Sequence, residues 1–313
     1  VRARPADLTR ELFGPLRDPI DNAARLEIRD HLVAGIGSVA EQAGRAEEIV
    51  VNLQLLRRAR TCPDGLAAPS DPFVWKPLFV RRSLGLAIVE ACIAGRFRSP
   101  VEAAGPVSDQ AVASWKRTGW RTFHWEPWFA ALAVGARASV LADAVTWASS
   151  LWSAFDWGGF PRLPQLGGAD DQWSCPAAGR VRVKGRSELR VALVGPHART
   201  SETDSRDSPV GLVSMSSGRP GAGWAAELAF LALAGSLRSP SRPVPARVLG
   251  LWPDSGAHAT VDITVAALTE AVDLVVDTVS AVLNARSAQN SARAAAASGF
   301  PAAVSGTSST TTI

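Results

Sequence analysis

Two glutamates stand out by their surroundings. Glu227 lies in Trp224–Leu237, a stretch that is apolar nearly all round. A carboxylate buried there is costly unless it is paired. Either an arginine such as Arg219 neutralises it, or it helps build a site. Glu188 lies where Val181, Val183, Leu189, Val191 and Leu193 alternate with Arg182, Lys184, Glu188 and Arg190, the period of two of a half-buried strand. Arg186 and Arg190 share its face, so a salt-bridged surface carboxylate and a metal-binding one would show the same pattern. A third feature is Trp115–Trp128, in which Lys116, Arg117, Arg121 and His124 are interleaved with tryptophans. Aromatics exposed beside cations stack unpaired bases; the same tryptophans also read as core packing.

Other chemistries lack their residues. His31, His124, His197 and His258 are scattered, and Cys62, Cys92 and Cys175 are three, far apart and without a CxxC pair. Zinc and a disulfide framework are therefore not expected, and a reducing cytoplasm is the expected compartment. An iron–sulfur cluster would need four ligands. No tyrosine is present. Neither a phosphate loop ending in Lys-Ser/Thr, nor Gly-x-Ser-x-Gly, nor His-Glu-x-x-His occurs. No run approaches eighteen apolar residues, and Val1–Asp7 is polar and basic, so neither a membrane span nor a secretory signal is expected. The net charge is +4 over 313 residues, with 47% hydrophobic and 20% charged residues. That is an ordinary globular balance, and it supports nucleic-acid contact only where the positives cluster.

The elements that must position these groups follow from periodicity. Residues 1–20 carry four proline or glycine breaks and are expected to be an irregular arm. Helices are expected over Asn22–Ala43, over Glu47–Arg60 (ended by Cys62-Pro63) and over Phe79–Ala94. The longest is expected over Trp128–Phe155, with Leu141, Val145, Ala148, Trp152 and Phe155 inward and Ser139, Asp143, Thr146, Ser150 and Ser153 outward. Gly179 onward predicts a strand pair, or one bent strand, around Gly185. A polar loop over Pro196–Pro209, a strand over Val210–Ser216, a Gly-Pro turn over Gly218–Gly223 and the Trp224–Leu237 helix follow. Strands are expected over Pro245–Trp252 and Thr260–Val265, with a turn at Asp254-Ser255-Gly256. A last helix capped by Thr264 is expected to bury Leu268, Val272, Val275, Val279 and Val282. Residues 287–313 are Ala, Ser and Thr with almost no charge and are expected to be a disordered tail.

The fold expected is α/β (α+β): a single domain over 21–286, its helical part at 21–157 leading into a small mixed sheet flanked by helices at 179–286. This order resembles the RecB-type branch of the PD-(D/E)XK nucleases. The resemblance is carried by Leu55–Pro63, a helix closing on Cys-Pro; by Arg81–Glu90, similar to the helix with Gly-x-x-x-His; by Gly185-Arg186-Ser187-Glu188, similar to Gly-x-x-Asp; and by Leu212–Pro220, similar to Asp-Leu-Lys-Thr-Gly. The helix with Glu227 and Leu231 sits where Gln-x-x-x-Tyr would follow.

The resemblance implies a restriction-endonuclease-like core, and it also implies a degenerate site. The family needs carboxylates to hold Mg²⁺ and a lysine to orient the attacking water. Here the positions hold Glu188, Ser214 and Ser216, with Val89 at the histidine, Glu227 at the glutamine and Leu231 at the tyrosine. The expectation is a nuclease-like protein without catalysis and without cofactor, in which Glu188 is a weak metal ligand at best. It would act as a DNA-associated binding or scaffolding module in repair, recombination or defence, with a protein partner such as a helicase or repair subunit. Lys116, Arg117, Arg121 and Arg219 are the nucleic-acid-binding candidates. Two alternatives stay open: an active Mg²⁺-dependent nuclease whose second carboxylate has migrated to Glu227, and a protein-interaction subunit without nucleic acid.

Overall fold

The computed structural model describes residues 5–16, 20–43, 48–67, 74–118, 124–166, 171–178, 180–193, 209–238 and 243–298. The chain is mixed α/β, with two small mixed sheets. The larger has five strands in the order β2 (Gln165–Leu166), β5 (Leu189–Ala192), β6 (Val210–Met215), β7 (Pro245–Trp252), β8 (Ala257–Asp262). Its only parallel pair is β6 with β7, and the chain crosses between them through α8 (Trp224–Leu237), as a parallel connection requires. The smaller sheet has the order β1 (Ile49–Val51), β4 (Val181–Gly185), β3 (Asp171–Ser174).

Alternation along the strands divides the interior into two cores. Leu212, Val248 and Trp252 face one side, with α8, α9 (Val265–Ser298), α2 (Asn22–Ala43), α3 (Leu53–Thr61) and the smaller sheet. Val213, Met215, Leu249 and Leu251 face the other, with α1 (Pro5–Leu12), α4 (Pro77–Ile93), α5 (Pro100–Thr118), α6 (Trp125–Ala131) and α7 (Val134–Trp152). Leu228 to Leu237 of α8 are all buried, which explains a helix with no polar face. The two small residues Gly185 of β4 and Ala234 of α8 let the smaller sheet approach α8: a Cβ on Gly185 would stand 2.6 Å from the Ala234 Cβ.

Several expected elements are corrected. The N-terminal arm is not irregular throughout, because α1 is a docked helix. The buried Arg247 guanidinium donates to the carbonyls of Glu11 (2.7 Å), Gly14 (3.2 Å) and Pro15 (2.8 Å) and to Asp262 (2.6 Å). The helix expected over Glu47–Arg60 starts only at Leu53. Ile49–Val51 pairs with β4 instead, and Asn52 caps α3 by accepting the Leu55 N–H at 2.9 Å. β-Branched Ile49, Val50 and Val51 favour the strand, and asparagine favours the cap.

The long helix expected over Trp128–Phe155 is two helices. Leu132 and Ala133 are extended between them, so Phe129 of α6 and the stripe of α7 each reach the core. That stripe is Val140, Ala144, Ala148 and Leu151, one residue round from Leu141, Val145 and Trp152, which are half-buried. α7 packs on α4 rather than on the sheet, with Trp147 close against Gly85. Trp152 stacks on Trp157 (5.2 Å, 14°), which stacks on Phe160.

α5 was not among the expected elements, yet it has a start signal. Ser99 accepts the Glu102 N–H (3.3 Å), Glu102 accepts the Arg98 N–H (3.0 Å), and Pro100 opens the helix, close to a capping box. The strand expected over Thr260–Val265 lies at Ala257–Asp262, after a turn closed by Gly256 at φ +66°. The tail expected from 287 is helical through Ser298, because alanine has the highest helix propensity and α9 is already nucleated. Residues 299–313, and 196–208 of the expected polar loop, lie outside the described residues. Among the described residues no helix is long and apolar enough to cross a membrane.

Candidate functional site

The segment Gly179–Leu193 is neither a simple strand pair nor one bent strand. β4 belongs to the smaller sheet and β5 to the larger, so the chain passes from one to the other across Arg186, Ser187 and Glu188. The β5–β6 ladder ends at Leu189 opposite Val213. Glu188 is the next residue. Its N–H donates to the Val213 carbonyl at 2.8 Å, and its Oε2 accepts the Met215 N–H at 2.8 Å. The side chain thus stands in for a backbone acceptor where the partner strand leaves the ladder.

Glu188 is 0% exposed, and its Oε1 lies 2.6 Å from Arg82 Nη2 of α4. It is ion-paired, as expected of a salt-bridged carboxylate, but in the interior rather than at the surface, and with Arg82. Arg190 pairs with the buried Asp171 at 2.8 Å, joining the two sheets. Burial raises the Glu188 pKa above its ordinary 4.5, opposed by the Arg82 charge, the Met215 N–H and the Arg186 charge.

A second ion pair lies one residue further along β6. Arg57 of α3 donates to Glu227 Oε2 through Nε (3.0 Å) and Nη2 (2.8 Å), and through Nη2 to Ser216 Oγ (3.2 Å). Arg60 Nη1 lies 4.0 Å from Glu227 Oε1 and donates to the Gly223 carbonyl at 3.4 Å. The partner of Glu227 is therefore Arg57, not Arg219. Gly223 has φ +82°, and the Arg60 guanidinium fills the space a Cβ would take, so only glycine fits on both counts. Across the loop, Gly218 donates its N–H to Asp254 at 2.8 Å. Arg219 is exposed, and among the described residues it has no ion-pair or hydrogen-bond partner.

Ser216 and Glu227 thus come together on Arg57, on the side of the sheet that carries α3 and α8, whereas the Glu188 side chain pairs with Arg82 of α4, which packs in the other core. Arg57 and Arg82 are the functional groups that sequence reasoning missed. Both lie in fragments that carried the resemblance, but nothing local marks an arginine as the partner of a residue more than a hundred positions away. Val89 and Leu231, at the family's histidine and tyrosine positions, are buried and apolar. Lys116 and Arg117 fall in the last turn of α5 with side chains outside the described residues, as is the whole of Arg121. Of the interleaved tryptophans, Trp125 and Trp128 are half-buried, and Trp125 packs edge-on against Phe129 at 5.9 Å.

The donor set does not fit Mg²⁺. A hard cation needs about six oxygens, whereas both Glu188 oxygens and Glu227 Oε2 are engaged and Ser214 and Ser216 offer neutral hydroxyls. Among the described residues no three His, Cys, Asp or Glu side chains gather as a metal site would require. A cleft of about 120 Å³ between α1, α7 and the β7–β8 hairpin is lined by Leu8, Ser150, Ser153 and His258. Its serine hydroxyls donate to helix carbonyls, so they are not activated nucleophiles. Comparison with protein-family models, curated proteins and solved structures finds no match to the chain.

Proposed function

We propose that this chain is a degenerate nuclease-like protein of the PD-(D/E)XK type that acts as a DNA-associated binding or scaffolding module in repair, recombination or defence. The order strand–strand–helix–strand, with Glu188 just past the Leu189–Val213 end of the β5–β6 ladder, supports the restriction-endonuclease-like reading. The observation that carries the loss of catalysis is the occupancy of the carboxylates. Guanidinium groups of Arg82 and Arg57 lie on Glu188 and Glu227, where a metal-dependent nuclease needs free oxygens facing a cation. Exposed Arg219, on the loop whose Gly223 carbonyl accepts from Arg60, and likewise exposed Arg57 offer cations to a phosphate backbone. A helicase or repair subunit is the kind of protein partner such a module would serve.

Anisotropy titrations of the full chain against single- and double-stranded DNA over a salt series test the reading. Binding whose logarithm falls linearly with log salt is expected. Flat or absent binding removes the nucleic-acid half and leaves a protein-interaction subunit. Incubation with plasmid and Mg²⁺ or Mn²⁺ is expected to give no cleavage above background. Cleavage that disappears in Glu188→Ala would make the chain an active nuclease with Glu227 as its second carboxylate.

A further inference from the structure

Resting on that reading, we infer that Glu227 is an internal counter-anion of the nucleic-acid site: its carboxylate holds the position on Arg57 and Arg60 that a phosphodiester takes by displacing it. The guanidinium fork grips a carboxylate and a phosphate with the same planar geometry. Arg57 presents that fork to a single Glu227 oxygen and also to Ser216 Oγ, and its side chain is 44% exposed, within reach of an incoming strand. Arg60 lies over Gly223 at the same place. Arg219 stands on the intervening loop without a partner among the described residues. Among the described residues Glu227 is the acid ion-paired with this group, and across the loop Asp254 accepts the Gly218 N–H. Two guanidiniums, of Arg57 and Arg60, therefore share the Glu227 carboxylate, and a ligand phosphate takes its place on them only after Glu227 lets go.

The test is DNA binding by Glu227→Gln, which keeps the shape and removes the charge. With a single-stranded oligonucleotide as probe, the variant is expected to bind roughly three- to tenfold more tightly than wild type at the same salt. Its log–log salt slope should steepen by up to about 0.7, one extra phosphate contact on a single strand. Adding Arg57→Ala should abolish the gain, as coupled residues require. If wild type binds and Glu227→Gln binds equally or more weakly, the counter-anion role is wrong while the DNA-binding reading stands. If neither protein binds at low salt, both fall. Should Glu227→Gln fail to fold, Arg57→Ala alone decides: a loss of at least threefold supports the inference, and unchanged affinity overturns it.

Discussion

Arg82 and Glu188 depend on each other unequally. Arg82→Ala leaves a fully buried carboxylate without its ion-pair partner at 2.6 Å, and urea denaturation should show a loss of about 3–5 kcal/mol. Replacing the pair together by Glu188→Gln with Arg82→Met should cost less than Arg82→Ala, because no uncompensated charge is left inside. The raised Glu188 pKa also has a sign. A folded-state pKa above the unfolded one means the folded chain holds the proton more tightly. This contribution to stability is full below the ordinary value of 4.5 and is lost as pH rises through the raised folded-state value. Measured by urea midpoints from about pH 4 to pH 8, wild type should lose stability relative to Glu188→Gln as pH rises. An unchanging difference would mean that Arg82 fully offsets the burial.

Helices α4 and α7 approach closely at Gly85 and Trp147. A Cβ on Gly85 would stand 2.5 Å from Trp147 Cε3, so Gly85→Ala should cost about 1–3 kcal/mol from overpacking, although alanine favours a helix by about 1 kcal/mol. On α7, Leu151→Ala should cost about 2–5 kcal/mol and clearly more than Leu141→Ala, as denaturation of the two variants would report. That contrast also marks what was legible in the sequence. Asn22–Ala43, Trp224–Leu237 and Pro245–Trp252 were read with the observed bounds, and β6 nearly so, because apolar runs there end at Gly, Pro or polar turns. Residues 141 and 140 sit only about 100° apart on a helix wheel, so the choice between two neighbouring stripes rested on which neighbour is present. β1 is only three residues long and exists through pairing with β4. At the site, Glu188 and Glu227 were legible as carboxylates in need of partners. Arg82 and Arg57 were not, since the fold alone brings α4 and α3 to the end of β6.

Across the whole molecule, residues 287–294 contribute little to the interior. The last buried residues of α9 are Val282 and Leu283, and 287–294 is exposed apart from a half-buried Gln289. Deleting 287–313 should therefore shift the melting temperature by no more than a few degrees, even though part of it is helical; a larger fall would mean that the stretch is docked. Arg247→Met should act at the opposite end of the sequence, exposing residues 5–16 to hydrogen exchange and limited proteolysis while the sheet stays protected. Unchanged protection there would mean that α1 is held by Leu8 and Leu12 alone. The packing of α2 on α9 carries a consequence for the chain as it is made. Gly35 lies close against Val276, and His31 sits 3.9 Å from Asp273, so the apolar stripe of α2 lacks its α9 cover until the ribosome has passed from Ala43 to beyond Val276. At about 5–20 residues per second this is a wait on the order of tens of seconds. During that interval Ile28, Leu32 and Ile36 are a natural holding point for a chaperone, and slow translation of the segment between α2 and α9 would lengthen the time in which nascent chains can associate with one another.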